Sequence, residues 1–208
     1  IKPDNLVIGL GQQANVVHVL DLGLARRYRD TKTQEHLPPT AHQGVAGTPN
    51  FAGVNAHLGI ARSRRNDLES LGYMLTYFVL GRLPWQSIRV ARREDWSKVL
   101  ESKIKTPLEV LCKDCPREIS DYMAYCRRLR SEDEPDYSYL SDLMLSGLEV
   151  RGCAHDDVFD WTLACTKEDP QDSTDEREAP SKTQSTAAVL SKEARTAAPT
   201  MDHDSLSS

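Results

Sequence analysis

Aromatic side chains are scarce in this chain: 3 Phe, 3 Trp and 7 Tyr among 208 residues, and none lies beyond Trp161. The stretch after Trp161 is rich in Ser, Thr, Asp, Glu, Lys and Ala. It holds too little apolar surface to offset the entropy of ordering, so residues 162–208 are expected to form a disordered tail. Long hydrophobic runs are also missing, and so is a signal peptide, which excludes a membrane-spanning helix and argues against a membrane partner. An excess of positive charge is absent: the net charge is −5 and the pI near 5.7, so no global field favours nucleic acid. Hydrophobic residues make up 39% and mean hydropathy is −0.53, low for a chain folded along its whole length. The five cysteines are irregularly spaced, which fits reduced thiols in the cytoplasm and/or nucleus. Cys112 and Cys115 form a CxxC, but no second pair follows at zinc-ribbon spacing, so packing at a helix end is the preferred reading. No internal repeat is seen. Length and composition together predict one domain, residues 1–161, and the tail.

What the sequence does contain is organised around residues 66–84. Asn66, with Glu69 three residues on, reads as a helix start, and Gly81 followed by Pro84 reads as its end. Leu68, Leu71, Met74, Leu75, Phe78, Val79 and Leu80 cover every face of that helix, which predicts a central helix wrapped by protein on all sides. Asp67 at its N-terminus is either an ordinary helix-start charge or a carboxylate that holds a neighbouring loop. Before it, Leu6-Val7-Ile8 and Val16-Val17-His18-Val19-Leu20 read as two strands of a hairpin joined by a Gly-rich connection. Residues 24–60 read as a long loop, a length that usually signals function. After it, helices are predicted near 94–104, 107–113, 117–130 and 136–148, the third with an apolar stripe of Ile119, Tyr122, Met123, Cys126 and Leu129. The expected fold is therefore mainly α with a small β-hairpin.

The sharpest chemical signal is Lys2-Pro3-Asp4-Asn5, placed about 16 residues before Asp21-Leu22-Gly23. Phosphoryl transfer asks a protein chiefly to position phosphates, hold a divalent cation and stabilise charge. The Asn5 amide and the Asp21 carboxylate, on loops joined by a hairpin, offer hard oxygen ligands for Mg²⁺, and Lys2 lies close by. Taken singly, such residues are ordinary solvated surface.

In this order the motifs resemble the large, C-terminal lobe of a protein kinase of the casein kinase 1 family. Ile1-Lys2-Pro3-Asp4-Asn5 is similar to the end of that family's catalytic loop, and Asp21-Leu22-Gly23 stands where the family has Asp-Phe-Gly. The likeness continues through Leu24-Ala25-Arg26-Arg27-Tyr28-Arg29-Asp30, His57-Leu58-Gly59-Ile60 and Ser63-Arg64-Arg65-Asn66-Asp67-Leu68-Glu69. Leu83-Pro84-Trp85-Gln86, Thr106-Pro107-Leu108-Glu109-Val110-Leu111-Cys112 and Pro135-Asp136-Tyr137-Ser138 extend it over residues 1–161. The resemblance implies a Ser/Thr kinase that uses ATP and Mg²⁺. Lys2, Asn5 and Asp21 would be its catalytic and cofactor-binding residues, with Asn5 and Asp21 on the metal and Lys2 on the γ-phosphate. Asp67 would support the catalytic loop, and Gly47, Thr48 and Asn50 would belong to the segment on which a protein substrate lies. A monomer acting on protein substrates is expected.

Departures from the family are informative. The His-Arg-Asp aspartate, the Gly-rich loop of the small lobe and its strand lysine are not in these 208 residues, so the chain is expected to be an N-terminally truncated piece, inactive alone. Gly9-Leu10-Gly11-Gln12-Gln13-Ala14 superficially fits a phosphate-binding pattern, but a strand follows where a helix is required. Asn50 replaces an arginine and Asp95 stands near the place of a lysine, which weakens any preference for acidic substrates. His18 reads as a structural strand residue. Arg62, Arg64 and Arg65 suit either an anion or ion pairs, and Arg89, Arg92 and Arg93 read as a solvated face. The Ser/Thr-rich tail reads as a passive linker rather than a phosphorylation-controlled inhibitor. The rival functional reading is a pseudokinase or scaffold that holds a protein partner through the helical lobe.

Overall fold

A computed structural model describes residues 1–38, 47–60 and 63–165. Two strands, β1 (Leu6–Ile8) and β2 (Val17–Val19), pair antiparallel in the register Leu6–Val19, Val7–His18 and Ile8–Val17. They are joined through a 3-10 turn at Gly11–Gln13, and Gly11 takes φ 57°, a conformation that glycine adopts without penalty. Strand β2 does follow the glycines, so the phosphate-loop pattern meets no helix. Among the described residues seven α-helices come next: α1 (Val54–His57), α2 (Arg64–Leu80), α3 (Trp96–Lys105), α4 (Leu108–Leu111), α5 (Arg117–Arg128), α6 (Tyr137–Val150) and α7 (Asp160–Cys165). The described chain is thus mainly helical with one small hairpin, as the sequence predicts. No helix among the described residues is long and apolar enough to cross a membrane.

Helix α2 starts a turn earlier than Asn66. Ser63 takes the extended N-cap position, and the Asn66 side-chain oxygen reaches back to accept from Ser63 N–H at 2.9 Å. Gly81 ends the helix at φ 71°, donating its N–H to the Tyr77 carbonyl at 2.8 Å. The expectation that protein wraps this helix on all sides is corrected at its C-terminal end, where Phe78 is 58% and Val79 46% exposed. Its buried face is instead built from small and polar residues as well as apolar ones: Asn66, Glu69, Ser70, Gly72, Tyr73, Met74 and Thr76. The reason is close approach. At Gly72 a Cβ would overlap Met123 Sδ of α5, and Tyr122 Oη of α5 donates to the Leu68 carbonyl at 3.1 Å.

The core gathers around this contact. Tyr73 and Trp85 are fully buried and meet edge to face, with ring centroids 5.1 Å apart. Such a pair adds about 0.5–1.5 kcal/mol to the gain from burial alone. Ile119, Tyr122, Met123 and Cys126 form the predicted buried stripe of α5, and Leu129 falls just past the helix end. The Asp136 carboxylate caps α6, accepting from Tyr139 N–H at 2.9 Å.

Helix α7 runs across residue 161 to Cys165, with Phe159 and Trp161 stacked at 4.6 Å and the Trp161 indole N–H donating to the Ala14 carbonyl at 2.8 Å. The remainder of the expected tail, from residue 166, lies outside the described residues, as do residues 39–46 of the long loop and Arg62.

Candidate functional site

The hairpin brings the two halves of the opening motif together. Leu20 N–H donates to the Asn5 carbonyl at 2.8 Å, one step beyond the Leu6–Val19 pair, so Asn5 stands opposite the residue that precedes Asp21. Pro3–Asn5 form a 3-10 turn closed by Asn5 N–H on the Lys2 carbonyl at 3.1 Å. Asp21 sits at φ 58°, ψ 66°. A non-glycine residue in this region costs on the order of 1–2 kcal/mol, and such strain gathers at functional positions. The chain turns again at Leu22–Leu24.

Above these residues opens a cavity of about 710 Å³, within the size range of cofactor sites. Lys2, Asn5, Asp21 and Asp67 all line it, and so do Gly47 and Thr48. Asn50 is half-buried and is not among the lining residues; its carbonyl accepts the Trp85 indole N–H at 2.9 Å, which turns that main-chain group toward the core. Asp67 enters the wall from the first turn of α2, exposed. Arg26, Arg27 and Arg64 also line it, so the lining carries cations as well as the Asp21 and Asp67 carboxylates. Arg64 lies over the Tyr28 ring at 4.4 Å and pairs with Glu134 at 3.5 Å, so its charge is partly engaged.

The donor chemistry fits a hard divalent cation. Asn5 and Asp21 offer an amide and a carboxylate oxygen on the same wall, and no cluster of three or more His, Cys, Asp or Glu suited to a metal stands among the described residues. Magnesium characteristically takes one or two protein oxygens and completes its shell from phosphates and water.

Other singled-out residues lie elsewhere. Asp95 is absorbed locally: its Oδ2 accepts from Ala91 and Arg92 N–H, both at 3.0 Å, and its Oδ1 meets Lys98 Nζ at 2.8 Å. These bonds hold its carboxyl below the usual carboxylate range. Arg65 donates to the Cys126 carbonyl at 3.3 Å, Arg89, Arg92 and Arg93 are exposed, and His18 is half-buried on β2. Cys112 is buried at the end of α4, where burial pushes its thiol up to about 11, in keeping with the packing role.

Three residues near the site hold places that their sequence readings did not show. Lys103 of α3 is fully buried, donates to the Pro49 and Ala52 carbonyls, and is pushed down to about 7 by burial, with Glu69 opposing. Glu69 of α2 is also buried. Its Oε1 accepts from Tyr73 Oη at 2.8 Å and from Val54 N–H at 3.2 Å. His57 of α1 packs against Trp96 at 4.9 Å and is lowered to about 4, by burial first and then by the charge of Lys103. The one sequence signal was spacing: Lys103 falls four residues after Val99, on the buried face of α3. No family model matches the chain.

Proposed function

We propose that the chain is the large lobe of a Ser/Thr protein kinase of the casein kinase 1 type, whose cavity wall faces the phosphates of ATP. The observation that supports this reading is the grouping of Lys2, Asn5, Asp21, Asp67, Gly47 and Thr48 around one cavity, with Asn5 and Asp21 aligned by the hairpin. In this role Asn5 and Asp21 hold Mg²⁺, which when bound neutralises phosphate charge. Lys2 contacts the transferred phosphate as a point charge. Asp67 supports the loop that carries Lys2 and Asn5, and the chain from residue 47 presents the substrate hydroxyl.

The Gly-rich loop, the strand lysine and the His-Arg-Asp aspartate are not among the 208 residues, so the chain by itself transfers no phosphate. The apolar side chains left open on and beside the hairpin are Leu10 at 89%, Leu22 at 70%, Leu24 at 60% and Val17 at 54%. They agree with a surface that another structural unit covers.

The test is to join an in-frame small lobe ending in His-Arg-Asp to Ile1 and assay phosphate transfer to a Ser/Thr peptide with Mg-ATP. Transfer that Asp21→Asn and Asn5→Ala each abolish is the expected result. Failure of a folded, joined protein to transfer phosphate, with ATP-independent partner binding, sinks the kinase reading. It leaves the scaffold reading, which the same open hairpin favours.

A further inference from the structure

The chain from residue 47 to residue 57 has two sides. Toward the cavity it presents Gly47, Thr48, Ala52, Gly53 and Ala56. Its other side is seated on a charged side chain that arrives from α3 more than 50 residues later. Lys103 Nζ donates to the Pro49 carbonyl at 2.9 Å and to the Ala52 carbonyl at 2.5 Å, three residues apart on the same turn. The ammonium lies over the face of Tyr73 at 4.5 Å and of Trp85 at 5.0 Å, and the residue has no solvent exposure.

Neighbouring groups extend the same hold. Trp85 Nε1 donates to the Asn50 carbonyl, Glu69 Oε1 accepts from Val54 N–H, and His57 Nε2 lies 3.2 Å from the Pro49 carbonyl. The main-chain groups of residues 49, 50, 52 and 54 are thus taken by side chains that do not line the cavity. An ammonium is well matched to this place. It supplies three donors from one point, and two ring faces and two carbonyl oxygens surround it with negative potential in place of water. An apolar side chain of equal length would leave the Ala52 carbonyl without this donor and the Pro49 carbonyl with only the His57 ring nitrogen beside it.

We propose that Lys103 is a positioning residue: its ammonium latches the turn at residues 49–52 and so fixes where Thr48 stands in the cavity wall. The functional meaning rests on the reading of residues 47–55 as the substrate segment; the latch itself does not.

The charged and titratable groups around Lys103 are Glu69 and Tyr73 from α2 and His57 from α1, with Trp85 completing the box. Glu69 favours the ammonium, burial opposes it, and the folded group titrates near 7 against 10.5 for a free lysine. Between those values the unfolded chain binds more protons, so rising pH adds stability through this group. Local opening that frees Lys103 follows the same rule, so protection of residues 48–57 that strengthens on this rise reports the latch.

Amide hydrogen exchange on the full 208-residue chain tests this. In Lys103→Met, exchange over residues 48–57 is expected to rise about tenfold while α5 and α6 are unchanged, and Lys103→Arg, which keeps donors and charge, is expected to restore part of the protection. In the native protein, exchange over the same residues, corrected for the intrinsic rate, is expected to fall between pH 7 and 9, because opening that frees Lys103 takes up a proton. Unchanged protection in Lys103→Met, or equal acceleration of all helices, overturns the proposal. If that variant does not fold, a flat pH response of residues 48–57 in the native protein overturns it. Because exchange needs no catalysis, a failed latch leaves the kinase reading standing, and a failed kinase reading leaves the latch standing.

Discussion

Replacing Gly72 by alanine sets two effects of similar size against each other, and the structure decides between them. Alanine in a helix interior gains about 1 kcal/mol over glycine from propensity and from the smaller entropy of the unfolded chain. Here the new Cβ would overlap Met123 Sδ and stand 3.1 and 3.3 Å from two ring carbons of Tyr122. Met123 has no exposure and Tyr122 only 3%, so neither swings into solvent. Overpacking of this kind costs about 1–3 kcal/mol, and a direct overlap places it near the upper end. The expected net loss is about 2 kcal/mol, a fall in Tm of roughly 4–8 °C for a domain of this size. Thermal melting followed by circular dichroism at the helix band measures it. A second variant isolates the cause: Met123→Ala destabilises alone, but combined with Gly72→Ala it gives less loss than the sum, because the clash partner is gone. A Tm equal to or above the native value for Gly72→Ala, or strict additivity with Met123→Ala, refutes the argument that close α2–α5 approach governs this helix. Asn66 and Asp67 ride on the same helix, so the variant also reports how firmly that wall of the cavity is mounted.

Two further outcomes follow from the buried titratable groups. His57 is held neutral to about pH 4 against 6.5 in the unfolded chain, by burial first and then by Lys103, with the Pro49 carbonyl opposing. The unfolded state therefore binds more protons between those values, and stability from this group is present above pH 6.5 and lost as pH falls toward 4. His57→Gln is expected to flatten the fall in Tm over that interval, and an unchanged slope refutes the assignment. Among the described cysteines, Cys153 is exposed while Cys112 and Cys126 are buried and pushed up to about 11 and 12 by burial. A thiol reagent at neutral pH, followed by peptide mass mapping, is expected to label Cys153 well before either of these; early labelling of Cys112 contradicts the packing role of the CxxC.

Local patterns in the sequence translate well into this fold. The hairpin, the apolar stripe of α5 and the Asp136 start of α6 are set by neighbours a few residues apart, and all stand close to where they are expected. The closeness of Asn5 and Asp21 is legible for the same reason, since one short hairpin joins them. What is not legible depends on distant partners. Counting apolar residues around α2 misses that Gly72 and Thr76 are buried because α5 comes close, and that Phe78 and Val79 run out past the core. The burial of Lys103 depends on two carbonyls 51 and 54 residues away, so spacing alone presents it as one more surface lysine. Asp95 shows the reverse case. Its charge invites a role in substrate choice, yet its oxygens are already spent on the loop that leads into α3.

The Trp161 indole, bonded to the Ala14 carbonyl across 147 residues of chain, also bears on the order of synthesis. Of the described residues, the hairpin is among the first to leave the ribosome, and the helix that clasps its turn is among the last. At typical elongation rates the interval is on the order of 10 s. During that time the open edges and valines of β1 and β2 are unclasped and available for mispairing. A nascent chain halted before residue 160 should accordingly need chaperone protection at the hairpin, far from where translation stopped.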